Sequence, residues 1–217
     1  MRRVFAVLAA VVVSAACAPA PGPAPVVGSA NAAQPVAAFL GDSYTWGWGI
    51  PDRGRRWSTQ VAQRMGWVEK NFGVGGTGYF TYSDKGKAYR YRIDEITAAA
   101  PDVVVVAGGV NDRRDIAADR EAVVDAVHQT YRRLREDLPQ ARIVAVGPTF
   151  LDQITPDLVA LDGAVRDAAD EVGAEYVSLI SPTYVLRPDE FDADGLHVND
   201  AGHSAIADRV VSALSGA

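Results

Sequence analysis

Strand-like and helix-like stretches alternate along this chain, and one of them, Val103-Val104-Val105-Val106, tolerates few environments. Consecutive β-branched residues are stiff at χ1 and fit a pleated strand better than a helix. With no polar alternation, such a strand has to be covered on both faces, as in a parallel sheet held between two helical layers. The neighbouring patterns agree with that placement. Apolar strands are expected at 36–40, 103–107 and 142–147, with weaker ones at 67–72 and 174–179. Helical periodicity falls at about 57–65, 88–99, 116–137, 156–171 and 200–215. In the third of these, Ala122, Val123, Ala126, Val127, Tyr131 and Leu134 share one face, with charges opposite. Five strands alternating with helices predict an α/β fold, a three-layer α/β/α sandwich around a parallel sheet.

Composition limits the class of protein. The 217 residues are 48% hydrophobic, enough for one domain with a full core. The formal charge of −6, with no basic run, disfavours nucleic acid or an anionic membrane surface as partner. Residues 1–17 read as an export signal: Arg2-Arg3, an apolar run from Val4 to Val13, then Ser14-Ala15-Ala16-Cys17. The apolar run is too short to span a bilayer, which takes about 20 residues. Ser14-Ala15-Ala16-Cys17 resembles the lipobox of bacterial lipoproteins, which would make Cys17 a lipidation site; cleavage after Ala18 or Ala20 is the alternative. In either case the protein is expected outside the cytoplasm, as a cell-envelope lipoprotein or a secreted protein. Cys17 is the only cysteine, so the mature domain has no internal disulfide. Residues 18–35, rich in Pro, Ala and Gly, read as a tether, and 36–217 as the folded domain.

Four of the loops that follow strands are unusually polar. They are Gly41-Asp42-Ser43-Tyr44, the glycine-rich stretch from Asn71 to Gly78, Gly108-Gly109-Val110-Asn111-Asp112, and Asp194-Gly195-Leu196-His197-Val198-Asn199. In a parallel sheet these loops share one edge, where ligands bind. Their residue types match the needs of ester hydrolysis. A serine hydroxyl is a weak nucleophile until a base takes its proton. Histidine suits that task, and a carboxylate must orient the ring and stabilise its cation. Asp194-x-x-His197 could set the carboxylate against Nδ1 and leave Nε2 for Ser43. A backbone N–H of the glycine loop, the Asn111 amide and the Ser43 N–H are suitable donors to an oxyanion.

The four loops, in this order, resemble blocks I, II, III and V of the SGNH/GDSL hydrolase family. Gly41-Asp42-Ser43-Tyr44 matches the Gly-Asp-Ser-Leu block with Tyr44 in place of leucine. Gly76 falls where the family's oxyanion glycine lies, Gly109-x-Asn111-Asp112 matches the oxyanion-asparagine block, and Asp194-x-x-His197 the acid–base block, with Val198 where proline is frequent. The resemblance spans about 36–205. It implies a flavodoxin-like sheet of strand order 2-1-3-4-5, ester hydrolysis without metal or cofactor, Ser43, Asp194 and His197 as catalytic residues, and an oxyanion hole of Ser43, Gly76 and Asn111.

Other readings of the same residues are plainer. His128 reads as a helix-surface residue and His203 as structural, while Asp192 is a substitute orienter for His197. Gly73-x-Gly75-x-x-Gly78 fits a dinucleotide fingerprint, yet the residues after it read as loop where that motif requires a helix. The carboxylates at 189, 190, 192 and 194 lack a second His or Cys at metal-ligand spacing and read as a solvated loop. Gly-x-Ser-x-Gly, the elbow of the other large serine-esterase fold, is absent. Tyr44, Trp46, Trp48 and Tyr79 either line a substrate pocket or belong to the core. The expected function is an exported serine ester hydrolase acting on a small-molecule, lipid or glycan ester, with membrane contact only through Cys17. The rivals are an acyltransferase or deacetylase working on an envelope glycan, a non-catalytic binding module, and a nucleotide-binding module.

Overall fold

A computed structural model describes residues 33–149 and 154–216; the export signal, Cys17 and most of the tether lie outside the described residues. Five parallel strands, β1 (Val36–Gly41), β2 (Val68–Gly73), β3 (Val103–Ala107), β4 (Arg142–Val146) and β5 (Glu175–Val177), form one sheet in the order β2-β1-β3-β4-β5. Their register brings Gly41 level with Gly73 on one side and Ala107 on the other. Strands β2, β1 and β3 therefore end together, and their following loops start from one edge.

Among the described residues seven α-helices accompany the sheet: α1 (Ser43–Trp46), α2 (Trp57–Met65), α3 (Ile93–Ala98), α4 (Arg113–Ala118), α5 (Arg120–Asp137), α6 (Pro156–Glu171) and α7 (Asp200–Ser215). The period-2 alternation of strand side chains divides the core in two. Ala37, Phe39, Val103, Val105, Val144 and Val146 pack with α2 and α7. Ala38, Leu40, Val104, Val106, Ile143 and Ala145 pack with α3, α5 and α6. All four valines of the 103–106 run are buried, as two-sided cover demands. Each such burial stabilises by about 1.5–3 kcal/mol.

Two expected helices are divided. The 116–137 pattern breaks at Asp119, whose backbone leaves the helix and whose side chain accepts the Ala122 N–H at 3.1 Å, capping α5. The 88–99 pattern becomes a 3₁₀ turn, Tyr89–Tyr91, followed by α3. The fifth strand is shorter than its 174–179 pattern. No helix among the described residues is long and apolar enough to cross a membrane.

Candidate active site

Ser43 is the first residue of α1, directly after β1. Asp42 caps that short helix, its Oδ1 accepting the Tyr44 N–H at 2.9 Å. The backbone of α1 lies on the end of β2, where a Cβ on Gly73 would stand 2.2 Å from the Trp46 nitrogen. Only glycine permits that approach, and it fixes the height of Ser43 above the sheet.

The loop before α7 carries the other two groups. The Asp192 N–H donates to the His197 carbonyl at 2.7 Å and the Asn199 N–H to the Glu190 carbonyl at 2.9 Å, closing a tight turn. Inside it, Asp194 Oδ1 accepts the N–H groups of Leu196 and His197, each at 2.9 Å. Asp194 Oδ2 lies 2.6 Å from His197 Nδ1. A carboxylate can only accept, so Nδ1 carries the proton and Nε2 presents a lone pair. Nε2 is 3.0 Å from Ser43 Oγ. Hydrogen bonds from His197, its ring first and its backbone second, hold the Asp194 carboxyl down to about 2, so it is ionised at ordinary pH. Asp192 has no bond to the ring; its Oδ1 accepts the Ala193 N–H.

The expected oxyanion donors surround Ser43. Gly76 has φ +77°, a left-handed conformation that glycine adopts at no steric cost. Among the described residues, neither the Ser43 nor the Gly76 N–H has an acceptor. Asn111 Nδ2 donates one hydrogen to the Thr77 carbonyl at 2.9 Å, which fixes the amide and leaves its second hydrogen available. Ser43, Gly75, Gly76, Asn111, His197 and Trp48 line one cleft of about 250 Å³. A carbonyl carbon in that cleft would meet the hydroxyl on one side and donors on another. Such an arrangement can pass a proton from oxygen to nitrogen while stabilising a negative oxygen.

The four aromatic residues that could line a pocket or belong to the core divide between the two. Tyr79 is wholly buried, its hydroxyl 3.0 Å from that of Tyr131 and its ring against Tyr89, so it belongs to the core and lines no substrate pocket. Tyr44 is buried too; its hydroxyl donates to the Leu196 carbonyl at 2.6 Å, which ties α1 to the loop of His197. Burial, with the nearby Asp42 charge as a second cause, pushes the Tyr44 hydroxyl well up, so it stays a donor. Trp46 and Trp48 are exposed, and Trp48 stacks on the His197 ring with centroids 5.5 Å apart. His203 is wholly buried, with Nδ1 accepting the Trp57 N–H at 3.2 Å. His128 lies on the helix surface against Glu171 at 2.7 Å.

One residue had no role in the sequence reading. Asp112 is buried and accepts the N–H groups of Tyr79, Phe80 and Thr81 at 2.8–3.0 Å, joining the asparagine loop to the stretch after Gly76. Burial raises its carboxyl and those bonds oppose the rise. Its signal was the Asn-Asp pair, which spacing alone could not separate into a donor and a clamp. Asp42, also buried, is pushed up to about 7 chiefly by desolvation. The stretch after Gly78 forms turns and no helix until the one at Ile93, so the helix start a dinucleotide site requires is missing here. Among the described residues no group of three His, Cys, Asp or Glu is arranged to hold a metal.

Comparison with known proteins adds independent findings. A family model described as GDSL-like lipase/acylhydrolase matches residues 39–205. A GDSL lipase of Mycobacterium tuberculosis is 30% identical over 194 residues, 84% of this chain and 82% of that protein. Among solved structures, a psychrotrophic esterase from Pseudoalteromonas sp., inhibited by monoethylphosphonate, is 13% identical with a TM-score of 0.66, covering 84% of this chain and 98% of that one. A family two carbohydrate esterase from Clostridium thermocellum, in complex with cellohexaose, is 18% identical with a TM-score of 0.68, covering 84% of this chain and 64% of that one. At these identities the two structures speak to the fold alone.

Proposed function

The chain belongs to the GDSL-like lipase/acylhydrolase family and is a carboxylic ester hydrolase, and from that premise we propose that Ser43 is its nucleophile, His197 its general base and Asp194 the group that orients His197. Ser43 Oγ attacks the ester carbonyl carbon as His197 Nε2 takes the hydroxyl proton. The carbonyl oxygen becomes an oxyanion held by the Ser43 and Gly76 N–H groups and the Asn111 amide. Collapse breaks the bond to the alcohol, which leaves with the proton from His197, and Ser43 keeps the acyl group. Water then attacks the acyl-serine by the same route, releasing the acid and restoring the hydroxyl.

The observation carrying this reading is the unbroken line from Asp194 Oδ2 through His197 to Ser43 Oγ, at 2.6 and 3.0 Å, in a cleft shared with Gly76, while the Ser43 and Gly76 N–H groups have no acceptor among the described residues. The acyl group is a short one. Beside Ser43 the cleft is walled by Gly75, Gly76, Ser83, Asp84 and Lys85, with Leu196 its single aliphatic side chain. A p-nitrophenyl ester series from acetate to palmitate tests this. The expected result is a kcat/KM that falls more than about tenfold between butyrate and palmitate, since a cleft of about 250 Å³ with one aliphatic side chain and the Trp48 ring covers few methylenes, and uncovered methylenes gain no transfer energy. A rise along the series would replace a short-chain esterase with a lipase.

Export and lipidation belong to the same proposal and rest on the sequence of residues 1–17. Fractionation of cells expressing the full chain, with and without Cys17→Ala, tests them. Release of the variant from the membrane fraction supports the lipid anchor, and cytoplasmic recovery of both forms contradicts export.

A further inference from the structure

Next to the cleft at Ser43 lies a second, larger one of about 520 Å³, walled by the segment from Phe80 to Tyr91. The two share Ser83, Asp84 and Lys85, so the turn carrying these residues borders both clefts. Its walls carry two kinds of group. Tyr82 is 78% and Tyr91 61% exposed, too open for either ring to be serving the core. Lys85, Lys87 and Arg90 supply positive charge against the single acid Asp84, in a chain of net charge −6. Among the described residues none of these three cations reaches a carboxylate, whereas arginines elsewhere pair with Glu69, Asp157, Glu171 and Glu175.

The cations stand over rings. Arg90 lies 4.6 Å from the Tyr91 ring centre and 5.3 Å from that of Phe80, while Lys85 lies 4.8 Å from Trp48, the ring stacked on His197. Rings and cations without a carboxylate partner thus lie along this segment from Trp48 to Tyr91, and Arg90 Nη1 is further held by the Tyr79 carbonyl at 2.9 Å. Exposed tyrosines offer faces to the C–H surface of sugar rings, and unpaired Lys and Arg attract carboxylates. An acyl chain would call for aliphatic walls, and this cleft has none beyond Ala88. A bilayer surface would meet a convex apolar face, while this is a concavity with Asp84 on its wall.

Building on Ser43 as nucleophile, we propose that the 80–91 cleft is an accessory subsite for the alcohol part of the substrate, and that this part is an acidic glycan, a polysaccharide bearing carboxylates and O-acyl groups. This segment would hold the glycan chain so that an acylated hydroxyl reaches Ser43.

Kinetics on two glycans of equal acetyl content, O-acetylated polygalacturonate and O-acetylated glucomannan, test the subsite, with p-nitrophenyl acetate as the reference substrate. At low salt the expected kcat/KM is about tenfold higher on the acidic glycan, carried by KM, and the preference closes in 0.5 M NaCl because exposed charges are screened. The double variant Tyr82→Ala/Lys87→Glu is expected to lower the acidic-to-neutral ratio to below about twofold through KM. Equal kcat/KM on both glycans at low salt, with p-nitrophenyl acetate still hydrolysed, overturns the subsite and leaves the esterase intact. No turnover of p-nitrophenyl acetate by the wild-type protein removes the esterase reading and the subsite with it. Binding to phosphatidylglycerol vesicles that depends on Tyr82 and Lys87, without preference for the acidic glycan, overturns it in favour of a membrane surface.

Discussion

Asn111 is the residue whose replacement separates stabilisation of a transition state from binding. Its amide is fixed by the Thr77 carbonyl and contacts no other described group through its second hydrogen, so truncation removes one donor and little packing. Asn111→Ala is expected to lower kcat about 10²–10³-fold with KM nearly constant, measured on p-nitrophenyl acetate. An increase in KM alone would make Asn111 a binding group. Asp194 predicts a pH effect. Its folded pKa of about 2 lies below the ordinary 3.8, so its stabilising bonds to His197 are present above about 4 and are lost as pH falls towards 2. Activity is therefore limited by Asp194 only in strong acid. Asp194→Asn is expected to reduce kcat about 10²–10⁴-fold across neutral pH. That these residues lie around Ser43 was legible in the sequence, because the chemistry they are proposed for needs particular residue types in the loops at one sheet edge. The aromatic neighbours were not. Tyr79 and Trp48 both follow a motif glycine or serine, yet one is core and the other caps His197, and the difference is set by Tyr89 and Tyr131, distant in sequence.

Among the elements, the short helix α1 and the turn clamped by Asp112 hold the loops in place. Gly73→Ala would drive a methyl into the backbone of Trp46, which cannot yield as a flexible side chain would. The expected outcome is a loss of about 1–3 kcal/mol in chemical denaturation together with a lower kcat from a displaced Ser43. Full activity in a stable Gly73→Ala variant would contradict the close-approach account. Asp112→Ala leaves three N–H groups without acceptors, expected to destabilise by about 3 kcal/mol or more and to loosen the stretch after Gly76. The elements α2, α6 and α7 match their sequence patterns closely, whereas the 116–137 pattern, the clearest of all, is divided. The break at Asp119 was missed because an apolar face continues across it. A capping aspartate and a solvent-facing one look alike until the backbone turns.

For the whole molecule, stability against pH is set in part by two buried groups that oppose each other. His203 accepts the Trp57 N–H through Nδ1, the atom it would have to protonate, and burial brings its pKa from 6.5 down to about 4. Between those values the unfolded chain holds a proton the native one lacks, so stability falls as pH drops from about 6.5 to 4. Asp42 behaves in the opposite way. Its pKa rises from 3.8 to about 7, so stability falls as pH climbs through that window. His203→Asn keeps an acceptor for Trp57 and removes one slope. Relative to wild type, the variant is expected to gain on the order of 2 kcal/mol at pH 5 compared with pH 7.5, read from urea melts at both values. An unchanged difference would mean that His203 does not titrate between them. Neither group announced itself in the sequence, since burial is a property of the assembled layers. The assembled sheet edge also carries the central claim, that Ser43 and His197, 154 positions apart, form one reacting pair. Labelling with a fluorophosphonate, followed by peptide mass spectrometry, tests it most directly. One adduct per chain is expected, on Ser43, in step with loss of esterase activity, and labelling is expected to be strongly slowed in His197→Ala. An adduct on another residue, or undiminished hydrolysis by Ser43→Ala, would contradict it.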